Sequence, residues 1–134
     1  MEKQFVTYEI ALKLKELGFD EKCFGLFKNE KFYRDFEVFQ WQNFSDCIKA
    51  PLWQQVISWL KNECKLEIEV FKWVAKCYHN EELATPHYLF DIDKAFEHTN
   101  DWIYQSINDD LKYHTYEEAR EQAILKAIEL IKNK

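Results

Sequence analysis

The chain has little glycine and little proline: two of each in 134 residues, Gly18 and Gly25, Pro51 and Pro86. Walker and dinucleotide-binding loops need several closely spaced glycines so that backbone can approach the phosphates, and neither glycine has such a neighbour. Both site types are excluded. No basic run exists, and a formal net charge of -6 argues against the clustered Lys and Arg that neutralise a nucleic-acid duplex. The 18 basic and 24 acidic residues are interspersed, which describes a solvated surface and not a nucleic-acid mimic. Cys23, Cys47, Cys64 and Cys77 form no CxxC pair, so they read as small buried or half-buried hydrophobes of a reducing compartment. No apolar run is long enough to cross a bilayer, and Met1-Glu2-Lys3-Gln4 leads into a polar-patterned helix with no apolar signal core. A cytoplasmic protein without a membrane partner is expected, and no cofactor signature is present.

What the chain does hold is aromatic side chains: 11 Phe, 7 Tyr and 5 Trp. At this length, residues 1–134 fit one domain, which removes roughly two-thirds of its unfolded surface from water. Thr7 is placed to cap a helix through Leu17, and Gly18 supplies the left-handed residue after it, with Phe19 closing the end. Cys23 to Phe27 and Phe32 to Trp41 read as a hairpin around the polar turn Lys28-Asn29-Glu30-Lys31. Asn43 to Lys49 reads as a polar connection, after which Pro51 opens a helix with Leu52, Trp53, Val56, Ile57, Trp59 and Leu60 on one stripe. Leu66 to Val70 alternates strictly, and the apolar phase then slips to Phe71, Trp73, Ala75 and Cys77, which predicts a bulge near Val70-Phe71. His87 to Ile92 and Trp102 to Ile107 read as strands, with Asp93 to Asn100 open to a short helix. Thr115-Tyr116-Glu117-Glu118 is a capping box that starts a helix through Ile131. The expected fold class is α+β, in the order α-β-β-α-β-β-β-α, with an antiparallel sheet of about five strands and helices on one face.

Two arginines attract attention. Arg120 projects into the apolar arc of the last helix, where a guanidinium must snorkel out or pair with an acid such as Asp109 or Asp110, or else clamp a ligand. Arg34 sits beside Tyr33, with Trp41 further on, and planar arginine next to rings is one way proteins hold phosphates and stack bases. Lys72, Trp73 and Lys76, with Trp102 and Tyr104, are candidates to complete that ligand surface, against the plainer reading that strand aromatics pack in the core. For metal binding, Cys77, His79, His87, His98 and His114 supply ligand types without recognisable spacing, so no metal site is expected. Asp91, Asp93, Glu97 and Asp101 do not form a calcium loop, because Phe96 stands where the sharp-turn glycine belongs. No nucleophile signature surrounds any Ser, Cys or His, so catalysis is the lesser expectation and no catalytic residue is assigned.

The segments Val6 to Phe19, Ala50-Pro51-Leu52-Trp53-Gln54-Gln55-Val56-Ile57-Ser58-Trp59-Leu60 and Thr115-Tyr116-Glu117-Glu118-Ala119 resemble a group of small uncharacterised phage and prophage proteins, notably of gut Bacteroidetes. The resemblance spans most of the chain in order, and its motifs are structural punctuation that carries no catalytic residue across. It implies an accessory protein of the bacterial cytoplasm that binds and disables a host defence protein, or sequesters a nucleotide signal. The leading expectation is therefore a noncatalytic homo-oligomer that binds a host protein through surplus aromatic surface. A protein sequestering a small nucleotide-like ligand comes second, and a small phosphoester hydrolase third.

Overall fold

The structure is a computed structural model that describes residues 2–34, 47–73, 87–96, 103–109 and 111–133. Of the candidate site residues, Trp41, Lys76 and Trp102 lie outside the described residues. The chain, read as one domain from its sequence, gathers into two compact units, Met1–Ser58 and Trp59–Lys134. The division falls inside a helix.

The first unit opens on α1 (Tyr8–Glu16), where the Thr7 hydroxyl accepts the Ile10 N–H at 3.4 Å. Its end closes as the sequence predicts: Gly18 takes φ 95°, Phe19 N–H donates to Leu14 O at 3.0 Å, and Gly18 N–H donates to Lys15 O at 3.1 Å. These are the two bonds of a Schellman closure. β1 (Gly25–Lys28) and β2 (Lys31–Arg34) form the expected hairpin, the part of its second strand expected beyond Arg34 lying outside the described residues. Asn29 and Glu30 between them both have positive φ, 53° and 67°, the backbone of a two-residue turn whose twist matches the strands. β3 (Ile48–Ala50) pairs along the other edge of β1, giving the order β2-β1-β3.

That third strand corrects the reading of Asn43 to Lys49 as a connection. Ile48 and Ala50 turn inward and Lys49 outward, but three residues ending at a proline offer too little alternation to be recognised. Glycine is required at position 25 by close approach: a Cβ there would lie 2.7 Å from the Phe32 ring and 3.0 Å from that of Phe5. Phe5, Phe32, Phe27 and Tyr8 follow one another at ring separations of 4.8, 5.6 and 5.5 Å. Ile10, Leu14 and Val56 are fully buried, each contributing about 1.5–3 kcal/mol of burial.

The helix that carries the division is α2 (Trp53–Glu63). Trp53, Val56, Trp59 and Leu60 are its buried stripe, as the periodicity predicts, with Gln54 and Ser58 exposed.

In the second unit β4 (Leu66–Trp73) pairs with β5 (His87–Lys94) and β5 with β6 (Tyr104–Gln105), all antiparallel. The β4–β5 register runs unbroken from Leu66 opposite Lys94 to Trp73 opposite His87. No bulge occurs at Val70-Phe71; instead the strand carries half-buried side chains on both faces, Ile68 and Val70 on one, Phe71 and Trp73 on the other. The phase slip marks a change of covered face, not an extra residue. β6 stops at Gln105, short of the predicted Ile107, because Ser106 to Asp109 turn into a 3-10 helix. The buried Ser106 hydroxyl accepts the Phe90 N–H at 2.9 Å, taking the place of a ladder carbonyl.

α3 (Tyr116–Lys132) is capped by Thr115, whose hydroxyl accepts the Glu118 N–H at 3.1 Å. It packs on β4 and β5 with Ala119, Ala123, Ile124, Ala127 and Ile128 buried. Tyr116 meets Tyr88 edge-on at 6.3 Å and Lys126 stands 4.6 Å over the Tyr104 ring, so the helix lies on the face that Tyr88, Phe90, Ile92 and Tyr104 share.

The α+β class and the mixed order are as expected, with β3 added. The single sheet of about five strands is corrected: the six strands among the described residues form two three-stranded sheets. Each central strand, β1 and β5, finds both its partners nearby in its own unit, which completes its hydrogen bonding without a strand from the other sheet.

Candidate functional site

The face of the second sheet opposite α3 carries the polar chemistry. Trp73 faces His87 across the β4–β5 pair. On the other side of β5, Tyr88 and Tyr113 exchange both backbone hydrogen bonds, at 2.8 and 3.1 Å, which brings His114 alongside His87. The two imidazole centres lie 5.8 Å apart with planes at 57°. Lys112, two residues before His114 and therefore on the same face, holds its ammonium 5.4 Å over the Trp73 ring. Trp73, His87 and His114 thus form one cross-strand row with a cation over the indole. His87 is half-buried, and its Nδ1 is a buried polar atom with no hydrogen-bond partner.

Further along the same face, Asp91 is buried, with Glu69 opposite it on β4 and Gln105 opposite it on β6. Burial pushes the Asp91 carboxyl above the ordinary carboxylate range, the Glu69 charge adds to this, and a hydrogen bond from Gln105 opposes it. Four residues of extended strand separate Asp91 from His87, about 13 Å. That is beyond the hydrogen-bond reach at which an acid and an imidazole share one proton transfer.

The predicted site residues scatter. Lys72 is exposed opposite Tyr88, on the reverse face from its neighbour Trp73, since adjacent strand residues point to opposite sides. Tyr104 lies on the helix-covered face, its ring stacked on Phe90 at 5.6 Å, its hydroxyl donating to Asp109 at 2.7 Å. Burial first, then that Asp109 bond, pushes its phenol well up from the ordinary value, and burial alone raises Tyr113. Arg120 is half-buried and sets its guanidinium 5.6 Å over the Tyr116 ring. Tyr33 and Arg34 are half-buried on β2 in the first unit, with Lys31 5.4 Å over the Tyr33 ring. Of the predicted site residues that are described, only Trp73 joins the row. What the sequence reading missed is the register: His87-Tyr88 and Tyr113-His114 are mirror-image dipeptides, which antiparallel pairing lays like on like.

The first unit has a shallow cleft of about 140 Å³ lined by Ala11, Lys15, Phe19, Asp20, Cys47 and Lys49, small beside the ~300–1,000 Å³ of drug-sized sites. Lys49 closes one side by donating to Asp20 O at 2.6 Å. Burial pushes the Cys23 thiol up to about 11, with Lys49 opposing the shift, which leaves it a poor nucleophile at neutral pH. Cys23, Cys47 and Cys64 are half-buried.

Among the described residues no three or more His, Cys, Asp or Glu side chains gather as a metal cluster, and no helix is long and apolar enough to cross a membrane. Compared with protein-family models, curated proteins and solved structures, the chain matches none.

Proposed function

We propose that this chain is a binding protein whose ligand is a small, planar anion of the nucleotide type, taken up at the end of the second sheet. The observation that carries the reading is the Trp73–His87–His114 row with Lys112 over the indole. A flat ring supplies a stacking platform, and an ammonium with two imidazoles supplies donors for phosphate oxygens. Arg34 and Arg120, favoured by the sequence reading, take no part. The test is calorimetric titration of the full chain with cyclic and linear nucleotides, with Trp73→Ala and Lys112→Ala alongside. Stacking is worth about 1–3 kcal/mol per base, so Trp73→Ala should weaken binding roughly five- to hundredfold. No heat and no thermal shift across the panel would sink the proposal.

A second reading, docking on a host protein, is supported by exposed apolar side chains: Phe24 at 64%, Phe96 at 66%, and Ile103, Ile107 and Leu111 close together along one segment. The Ile103, Ile107 and Leu111 side chains suit a protein interface. Co-purification of one host protein, lost on Ile107→Lys but kept in Trp73→Ala, would favour it. Either reading accommodates a phage accessory protein of the bacterial cytoplasm.

A further inference from the structure

We infer that His87 and His114 together hold one divalent late-transition ion, of the Zn2+, Ni2+ or Cu2+ class, with its remaining positions open. The site shares its row with the ligand reading above and does not depend on it. Three observations meet here. The residues are 27 apart in sequence (His87, His114) yet adjacent in register, fixed on either side of paired backbone by the reciprocal Tyr88–Tyr113 bonds. Their ring centres stand 5.8 Å apart. Two imidazoles on one ion, each nitrogen ~2.1 Å from the metal, put their ring centres about 5 Å apart at a tetrahedral angle and about 6 Å apart as that angle opens. The third observation is the buried Nδ1 of His87 without a hydrogen-bond partner. A neutral imidazole has one donor and one acceptor nitrogen, and a buried one leaves neither idle without cost. A metal ion answers an acceptor nitrogen as a proton donor would.

The donor set selects the ion. Imidazole nitrogen suits zinc, copper and nickel, while magnesium and calcium need oxygen ligands. Asp91 and Glu69 belong to the same face but lie two rows away along β5, too far to complete the shell. Two protein ligands leave positions for water or for anionic oxygens, and the Lys112 ammonium beside Trp73 favours an anion there over a bare dication. The strand geometry therefore describes an exchangeable site, not a closed structural one.

The experiment uses the full chain, stripped with chelator and titrated with Ni2+, Zn2+ and Cu2+ at neutral pH by calorimetry and tryptophan fluorescence. One ion per chain is expected, with Cu2+ quenching a fraction of the emission that Trp73→Phe removes while the ion still binds. His114→Gln and His87→Gln should each weaken binding at least tenfold, since removal of even an outer partner of a metal ligand costs about 10–100-fold. His114 is exposed, so His114→Gln keeps the fold and the test even if His87→Gln does not. Binding unchanged in both variants, or no binding, would overturn the inference. Metal binding by a chain that takes no nucleotide leaves it standing and removes the ligand reading; nucleotide uptake in chelator by a chain that binds no metal does the reverse.

Discussion

The two units use aromatic residues differently. In the first, Phe5, Phe32, Phe27 and Tyr8 meet one another. Rings pack on rings, and a cation meets a ring at Lys31 over Tyr33. In the second, Phe90 stacks between Tyr104 and Tyr113, at 5.6 and 6.1 Å, but Tyr104 also carries Lys126, Trp73 carries Lys112, and Tyr116 carries Arg120. Burial raises the Asp91, Tyr104 and Tyr113 groups above their ordinary values, with Glu69 adding to the Asp91 shift and Asp109 to that of Tyr104. Polar groups kept half out of water are where binding chemistry concentrates. The second unit is therefore where a ligand should be sought first.

That contrast can be broken. The largest effect is expected from Phe90→Ala, which removes a buried ring from the second unit at a cost of about 3–5 kcal/mol. Hydrogen exchange should show protection lost across residues 59–134; equal loss across residues 1–58 would make the two units one cooperative block. Gly25→Ala tests the other side, because its Cβ must displace the Phe32 and Phe5 rings. Overpacking of this kind costs about 1–3 kcal/mol, read from the urea midpoint, with the Trp73 row unaffected.

Thr115→Ala removes the α3 cap bond and should cost about 1 kcal/mol. A smaller change of opposite sign is expected from Glu30→Gly, which relieves a glutamate at φ 67° and should stabilise by up to about 1 kcal/mol. The least is expected from Asp91→Asn, and it appears only against pH. The folded Asp91 carboxyl titrates above its unfolded value, so the folded state binds the extra proton between the two. Stability then falls as pH rises through that window and stays lower above it. Asn should flatten this decline and leave the variant the more stable at neutral pH, as chemical denaturation between pH 3.5 and pH 7 would show.

Much of the local structure was legible. Thr7, Gly18 and Thr115 act at the helix ends through bonds to their own near neighbours, and such signals are complete within a few residues of chain. The α2 stripe and the Asn29-Glu30 turn are equally local. Strand partnership was not. β3 is too short to alternate visibly, β4 changes its covered face midway, and Ser106 ends β6 through a bond to Phe90, 16 residues earlier.

The candidate site follows the same rule. Trp73 could be named from its aromatic and basic neighbours, but Lys72 had to point away from it once both lay on one strand. Local signals in the sequence set the two ends of α1, the start of α3, the hairpin turn and the α+β class. Only the tertiary structure decided that there are two sheets, and that His87 and His114 stand side by side. The reason is physical: caps and turns are settled by bonds within a few residues, whereas strand register depends on which distant backbone satisfies an edge and which side chains that edge must bury.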